Sequence, residues 1–324
     1  MPIISSSYQA PLALRNGYVQ SIYPTLFRSL DISDLQRERI ETSDGDFLDL
    51  DWYRQGSQDL VIVSHGLEGH SRRPYVLGIM QEAHRVGWDS LSWNFRTCSG
   101  TPNRLPRTYH SAATDDLHRV VAYAHQQGYR RIHLVGFSMG GNLSLVYASR
   151  DRAWLPSSVV GMVVFSVPCD LRASAYALAK RRNRIFMWRF LRDLKVKMAT
   201  KSAQYPELVS LDGYDQIRTF REFDDRYTAP LHGFRDAHDY WQQASAGQYL
   251  HELAIPTLIV NALDDPFLAP SCYPQEQARV SSRLWLEMPK HGGHVGFVTR
   301  SGDGHYWSER RALAFLQALD HSSE

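Results

Sequence analysis

The sequence predicts an α/β fold: a mostly parallel central sheet, helices on both faces and a helical cap inserted over the strand ends. Three observations carry this. Short β-branched apolar runs alternate with stretches of helical period along most of the chain, the pattern of strands joined by crossover helices. One stretch, residues 167 to about 250, interrupts that alternation and is too long for an ordinary connection. The chain has 324 residues, 43% hydrophobic and 22% charged, enough to bury a large core without covalent staples. A single domain over residues 1–324 with the cap at about 167–250 is therefore expected.

The elements follow in order. FLDLDWY alternates apolar and polar residues like a half-exposed strand. DLVIVSHG, residues 59–66, is a buried strand feeding a glycine loop. RPYVLGIMQEAHRVG, residues 73–87, has helical spacing and a stop at Gly87. WDSLSWNF is a further strand. SAATDDLHRVVAYAHQQG, residues 111–128, is a helix that Thr114 or Asp115 can cap and Gly128 can end. RRIHLVGF is a strand and SMGGNLSLVYASR a helix. SSVVGMVVFSVP, AIPTLIVNA and SSRLWLEMP are strands, and HYWSERRALAFLQALD closes the chain as an amphipathic helix. Within the cap, RIFMWRFLRDLKVKM sets Phe186, Phe190 and Leu194 on one helical stripe, with Met187, Leu191 and Met198 beside it. From Arg172 to Lys201 ten Lys or Arg stand against one acid, Asp193. That basic face is either a solvated surface or a weak contact for anionic lipid head groups.

Composition excludes several functions. A net charge of +2 does not suggest a nucleic-acid binder. Cys98, Cys169 and Cys272 are far apart, so neither a disulfide framework nor a metal site is expected, and no cofactor is implied. No secretory signal and no apolar run long enough to span a membrane is seen. A reducing, cytoplasmic setting is expected.

Ligands on such sheets bind at the carboxyl ends of the strands. Gly136-Phe137-Ser138-Met139-Gly140 matches G-x-S-x-G between a predicted strand and a predicted helix, the setting of a nucleophile elbow. The alternative is a glycine-rich helix start with Ser138 as its cap. In an elbow the Met139 N–H is one oxyanion donor. His65-Gly66-Leu67 follows an earlier strand, so the Leu67 N–H is the second, with Gly66 admitting the close approach. His65 and His70 read as structural. The acid and then the base should follow the serine. NALDDPF offers Asp264 and Asp265, and HGGHVGF offers His291 and His294. Such a set attacks esters through an acyl-enzyme, which water or a second alcohol resolves, so hydrolase and acyltransferase both stay open.

The blocks LRNGYVQSIYPTLFR, HGLEG, NFRTCSG, YHSAATDDL, GFSMGGN, FDDRYTAPLHGF, NALDDPF and GGHVGF occur in this order over almost the whole chain. Together they resemble the YheT-like family of α/β-hydrolases, bacterial esterases related to the eukaryotic ABHD lipases. The resemblance implies the α/β-hydrolase fold and hydrolysis of short- to medium-chain esters or acylglycerols, with a small-molecule ester or lipid as partner. It also implies Asp265 as the acid and His294 as the base, leaving His291 a loop neighbour. The chain departs from the family at Thr97, where glycine usually follows the arginine, and the membrane anchor of the eukaryotic relatives is not expected in it.

Overall fold

The computed structural model describes residues 2–299 and 304–320. Nine strands form one sheet: β1 (Ile3–Ile4), β2 (Gln36–Glu41), β3 (Phe47–Tyr53), β4 (Asp59–Ser64), β5 (Asp89–Trp93), β6 (Arg131–Phe137), β7 (Val159–Phe165), β8 (Thr257–Val260) and β9 (Leu284–Glu287). Their order is β1-β9-β8-β7-β6-β4-β5-β3-β2. Six neighbouring pairs from β1 to β5 are parallel, while β3 runs antiparallel to both β2 and β5. The chain steps from β4 outward to β5, then returns to the other side of β4 to lay down β6. The loops after β4 and β6 thus sit where the winding reverses, the usual site for a ligand on an open sheet.

The apolar runs are continuous because both faces of the sheet are covered. Along β4, Leu60 and Ile62 enter one core while Val61 and Val63 enter the other. The first core is closed by α3 (Thr114–Gln126) and α4 (Met139–Ala148). The second is closed by α2 (Pro74–Arg85) and α11 (Trp307–Asp320). The helix α1 (Gly17–Phe27) starts on Asn16, whose side chain accepts the N–H groups of Tyr18 and Val19. α10 (Gln275–Val280) precedes β9.

Between β7 and β8 the chain forms α5 (Leu171–Leu178), α6 (Arg184–Gln204), α7 (Phe220–Phe223), α8 (Ala229–His232) and α9 (Ala237–Ala244). This helical insert has its own small core, in which Met187, Leu191, Leu194 and Met198 of α6 meet Tyr214, Phe223 and Phe267.

Three local expectations differ from the structure. FLDLDWY, which is β3, is buried on both faces rather than one, because Asp49 and Asp51 are neutralised in place by Arg39 and Arg37 of β2, each 2.7 Å away. α3 is capped by neither Thr114 nor Asp115. Ala113 holds the cap position, Thr114 Oγ1 donates to Asp151 at 2.6 Å, and Asp115 pairs with Arg107 at 2.8 Å. The basic face of α6 also exposes Ile185, Trp188 and Val196, so it is not purely polar.

Candidate active site

Ser138 stands between β6 and α4 with φ 53° and ψ −118°. That conformation is sparsely populated for a residue with a side chain and persists only where the surroundings dictate it. Here they do: β6 runs into α4 so tightly that a Cβ on Gly136 would lie 2.7 Å from the Gly140 carbonyl oxygen, and one on Gly140 would lie 2.3 Å from the His65 carbonyl oxygen of the loop after β4. Ser138 occupies the cap position of α4, yet its side chain makes no capping bond. Its Oγ instead lies 2.9 Å from His294 Nε2. The capping alternative for Ser138 is therefore not the arrangement seen.

His294 Nδ1 is 2.8 Å from Asp265 Oδ2, and Asp265 Oδ1 accepts the Phe267 N–H at 2.9 Å. A carboxylate only accepts, so Nδ1 carries the ring proton and Nε2 turns its lone pair to the serine hydroxyl. The Asp265 side chain is fully buried and His294 packs 4.3 Å from the Phe267 ring. Asp264 faces elsewhere. Its Oδ1 accepts the Gly293 N–H at 2.9 Å, and its Oδ2 lies 3.4 Å from His291. The two aspartates and two histidines thus sort into separate pairs, and only one pair reaches Ser138. Burial raises the Asp264 carboxyl above its ordinary value.

The loop carrying His294 is held in an unusual shape. Gly293, Val295 and Phe297 all have positive φ, at 56°, 60° and 44°. A side chain at Gly293 would strike the Gly17 carbonyl, 2.3 Å from the added Cβ. Two serines that sequence reasoning did not single out secure this loop. Ser21 of α1 accepts the His294 N–H at 2.8 Å, and Ser166, after β7, accepts the Val295 N–H at 2.9 Å. Ser21 falls within a quoted block, but nothing in its spacing announces a partner 273 residues away.

Leu67 and Met139 line the same cavity as Ser138. A Cβ on Gly66 would come within 3.3 Å of Ser138 Cβ. Among the described residues, neither the Leu67 nor the Met139 N–H finds a protein acceptor. Backbone N–H groups without partners are uncommon inside a fold, and two on residues that line one cavity with Ser138 can receive a developing oxyanion. His65 is structural: its Nε2 accepts the Phe95 N–H, so its Nδ1 donates to the Gly66 carbonyl at 2.7 Å. Burial pulls its pKa down to about 3, keeping it neutral.

Two cavities meet at Ser138. One runs beneath the insert and is largely apolar, lined by Leu171, Leu178, Leu194, Met198 and Phe223. The other is a cleft between α1 and α6 with a more polar wall, including Ser21, Thr25, Arg73 and Arg189. Leu67, Ser138 and His294 line both. Among the described residues no group of three or more His, Cys, Asp or Glu could hold a metal ion, and no helix is long and apolar enough to cross a membrane.

Comparison with known proteins places this geometry. A family model described as alpha/beta hydrolase fold matches residues 59–301. YheT of Escherichia coli (strain K12) is 36% identical over 87% of this chain and 84% of its own. Phospholipase ABHD3 of Mus musculus is 27% identical over 92% of this chain and 74% of its own. Among solved structures, the esterase Pf2001 of Pyrococcus furiosus superposes with a TM-score of 0.61 at 15% identity, covering 96% of this chain and 99% of that one, a likeness of fold.

Proposed function

The chain belongs to the alpha/beta hydrolase fold family and, within it, to the YheT-like esterases, and from that premise we propose that it hydrolyses carboxylic esters through an acyl-enzyme on Ser138. The observation that carries this reading is the hydrogen-bonded line from Ser138 through His294 to Asp265 at the junction of two cavities. An ester has two limbs, and each cavity suits one. The apolar cavity takes the acyl chain, and the α1–α6 cleft takes the alcohol.

In this mechanism Ser138 Oγ attacks the carbonyl carbon while its proton passes to His294 Nε2. Asp265 holds the ring in the correct tautomer and stabilises the imidazolium. The oxyanion receives the N–H groups of Leu67 and Met139. His294 returns the proton to the leaving alcohol. Water then attacks the acyl carbon as its proton passes to the same nitrogen, and His294 returns that proton to Ser138 Oγ as the acyl–oxygen bond breaks, releasing the acid and the free serine.

Short- to medium-chain esters or acylglycerols are the proposed substrates. The cysteines Cys98, Cys169 and Cys272 are all free, which supports a reducing, cytoplasmic setting. Arg181, Arg182 and Arg184 have no ion-pair partner among the described residues and lie beside exposed Ile185 and Trp188, which supports a weak contact with an anionic lipid surface. The test is a series of p-nitrophenyl esters of rising chain length, run with and without an added alcohol, alongside fluorophosphonate labelling of Ser138. Free acid and a labelled Ser138 are the expected products. A protein that neither labels nor turns over any ester refutes the reading. Exchanged ester as the main product replaces hydrolase by acyltransferase.

A further inference from the structure

Beside the Leu67 donor lies a buried polar cluster that the mechanism above does not use. Glu68, the next residue, has φ 54°, a left-handed conformation uncommon for a residue other than glycine. Its side chain is almost wholly buried. Three contacts hold it. Its N–H donates to Tyr109 Oη at 3.3 Å, the same hydroxyl donates back to Glu68 Oε1, and Lys197 Nζ lies 2.9 Å from that oxygen. Arg73 adds a bond to the Glu68 carbonyl at 3.2 Å. Burial keeps Tyr109 a phenol, so it remains a donor to the carboxylate.

Lys197 is the contact that comes from far away. It belongs to α6 of the helical insert, while Glu68, Arg73 and Tyr109 belong to loops that join elements of the sheet layer. Its ammonium also donates to Cys98 Sγ at 2.9 Å and lies 4.8 Å over the Tyr109 ring. Burial works against that ammonium, but the neighbouring Cys98 and Glu68 outweigh it and hold it charged. Phe190, Leu194 and Met198 on the same helix line the apolar cavity, and Glu68 lines the cleft. The ion pair is therefore part of the wall between the two cavities, directly behind Leu67.

We infer that Lys197 is a positioning residue: through Glu68 it fixes the strained turn that aims the Leu67 N–H at the oxyanion, so the insert sets one half of the oxyanion hole. This rests on the ester-hydrolase reading above. A left-handed glutamate persists only when its surroundings over-determine it, and removing the lysine would leave a carboxylate buried without a cation. The turn would then relax, and the donor would leave its line.

The test compares Lys197→Met, Glu68→Gln and the double variant with the wild type. Three readouts are taken: ester turnover, the rate of Ser138 labelling by a fluorophosphonate, and hydrogen exchange at the Glu68 and Gly69 amides. Lys197→Met is expected to lower kcat by about 10- to 100-fold, short of the loss from deleting a donor outright, with KM within about threefold. Labelling should slow by a similar factor, and exchange at the two amides should quicken. The double variant should be no worse than the worse single variant, since both cut one link. Propylammonium added to Lys197→Ala should restore part of the lost rate. Losses that multiply, a rise in KM with kcat unchanged, or a fall in melting temperature alone would each overturn the proposal. Should the wild type neither label nor turn over, the hydrolase reading fails, while unchanged exchange in Lys197→Met would still refute the strut.

Discussion

Ser138 and Lys197 approach the same junction from opposite sides and are held by different forces. Ser138, Asp265 and His294 stand on loops that follow the parallel strands β6, β8 and β9, so backbone register places them. Strained backbone accompanies them: Ser138 itself has φ 53°, Val295 beside His294 has φ 60°, and Ser166, which accepts the Val295 N–H, has φ 52°. Lys197 stands on the helical insert, which meets the sheet loops through long-range side-chain bonds. Lys201 Nζ donates to the Asn103 carbonyl at 2.7 Å, Tyr240 Oη to Ser111 Oγ at 2.8 Å, and Lys197 reaches Glu68. The difference teaches that Ser138, Asp265 and His294 stand where strand register puts them, with the Ser21 and Ser166 hydroxyls fastening the His294 loop, while the insert is held over them by side-chain bonds such as these.

The sharpest way to break this comparison is to remove the reacting atoms while leaving the main chain alone. Ser138→Ala and His294→Ala should each lower kcat by about 10⁴-fold or more, with melting temperature within a few degrees of wild type. His291→Ala should keep most activity, because His291 pairs with Asp264 and not with the serine. A His291 variant as dead as the His294 variant would show that the loop, not the imidazole, matters.

The two aspartates give the next largest contrast. Asp265→Asn should cost about 10³- to 10⁴-fold in kcat, since an amide cannot hold the His294 tautomer. Asp264→Asn keeps an oxygen that can accept the Gly293 N–H and removes only the charge facing His291, so about tenfold or less is expected, with melting temperature within a few degrees of wild type. Kinetics on the two variants, measured beside their melting curves, separates these outcomes. A larger loss at Asp264 would move the acid to that residue.

The insert should answer to pH through Asp224, which is buried and accepts from Trp241 Nε1 at 2.8 Å and from Thr228 Oγ1 at 2.6 Å. Burial, with Asp225 adding to it, pushes its carboxyl up to about 7. In the unfolded chain it titrates near 3.9. Between those values the folded state keeps a proton that the unfolded state has released. Stability from this group is therefore present below about pH 4 and is lost as pH rises toward 7. Asp224→Asn should abolish that slope. Its melting temperature should match the wild type at pH 4 and exceed it at pH 8, by something on the order of 5 °C. Equal curves at both pH values would mean that the carboxyl is ionised in the folded protein.

What was legible in the sequence follows the same division. The strands, the elbow and the order serine, acid, histidine could be read because each is a local pattern: period, turn chemistry, and residues at the ends of runs. The choice between Asp264 and Asp265 was not local. It came from resemblance, and the structure sorts the pair by which histidine each faces. Ser21, Ser166 and the Glu68–Lys197 pair were not legible. Each partner lies more than a hundred positions away in the chain, and serine or lysine in such places usually means only surface. FLDLDWY was misread for a related reason. Alternation predicts one wet face, but Arg37 and Arg39 from the adjacent strand neutralise its aspartates inside the fold.

Thr97 makes the smallest and most discriminating test, because it asks whether strain near the site always serves the site. Thr97 has φ 68°, the conformation glycine tolerates and a β-branched residue resists. Its hydroxyl is buried without a hydrogen-bond partner. This is the position where the resemblance led us to expect glycine. Unlike Ser138, it lends no atom to the junction of the cavities. Thr97→Gly should relieve the left-handed penalty of about 1–2 kcal/mol, and the added freedom of glycine in the unfolded chain should take back about 0.5–1 kcal/mol. The net gain is a rise of about 1–3 °C in melting temperature with kcat and KM unchanged. If melting rises and activity stays, strain at Thr97 is idle while strain at Ser138 is used. If kcat falls instead, the loop holding Cys98 and its Lys197 contact carries part of the positioning, and the boundary between sheet and insert must be redrawn to include it.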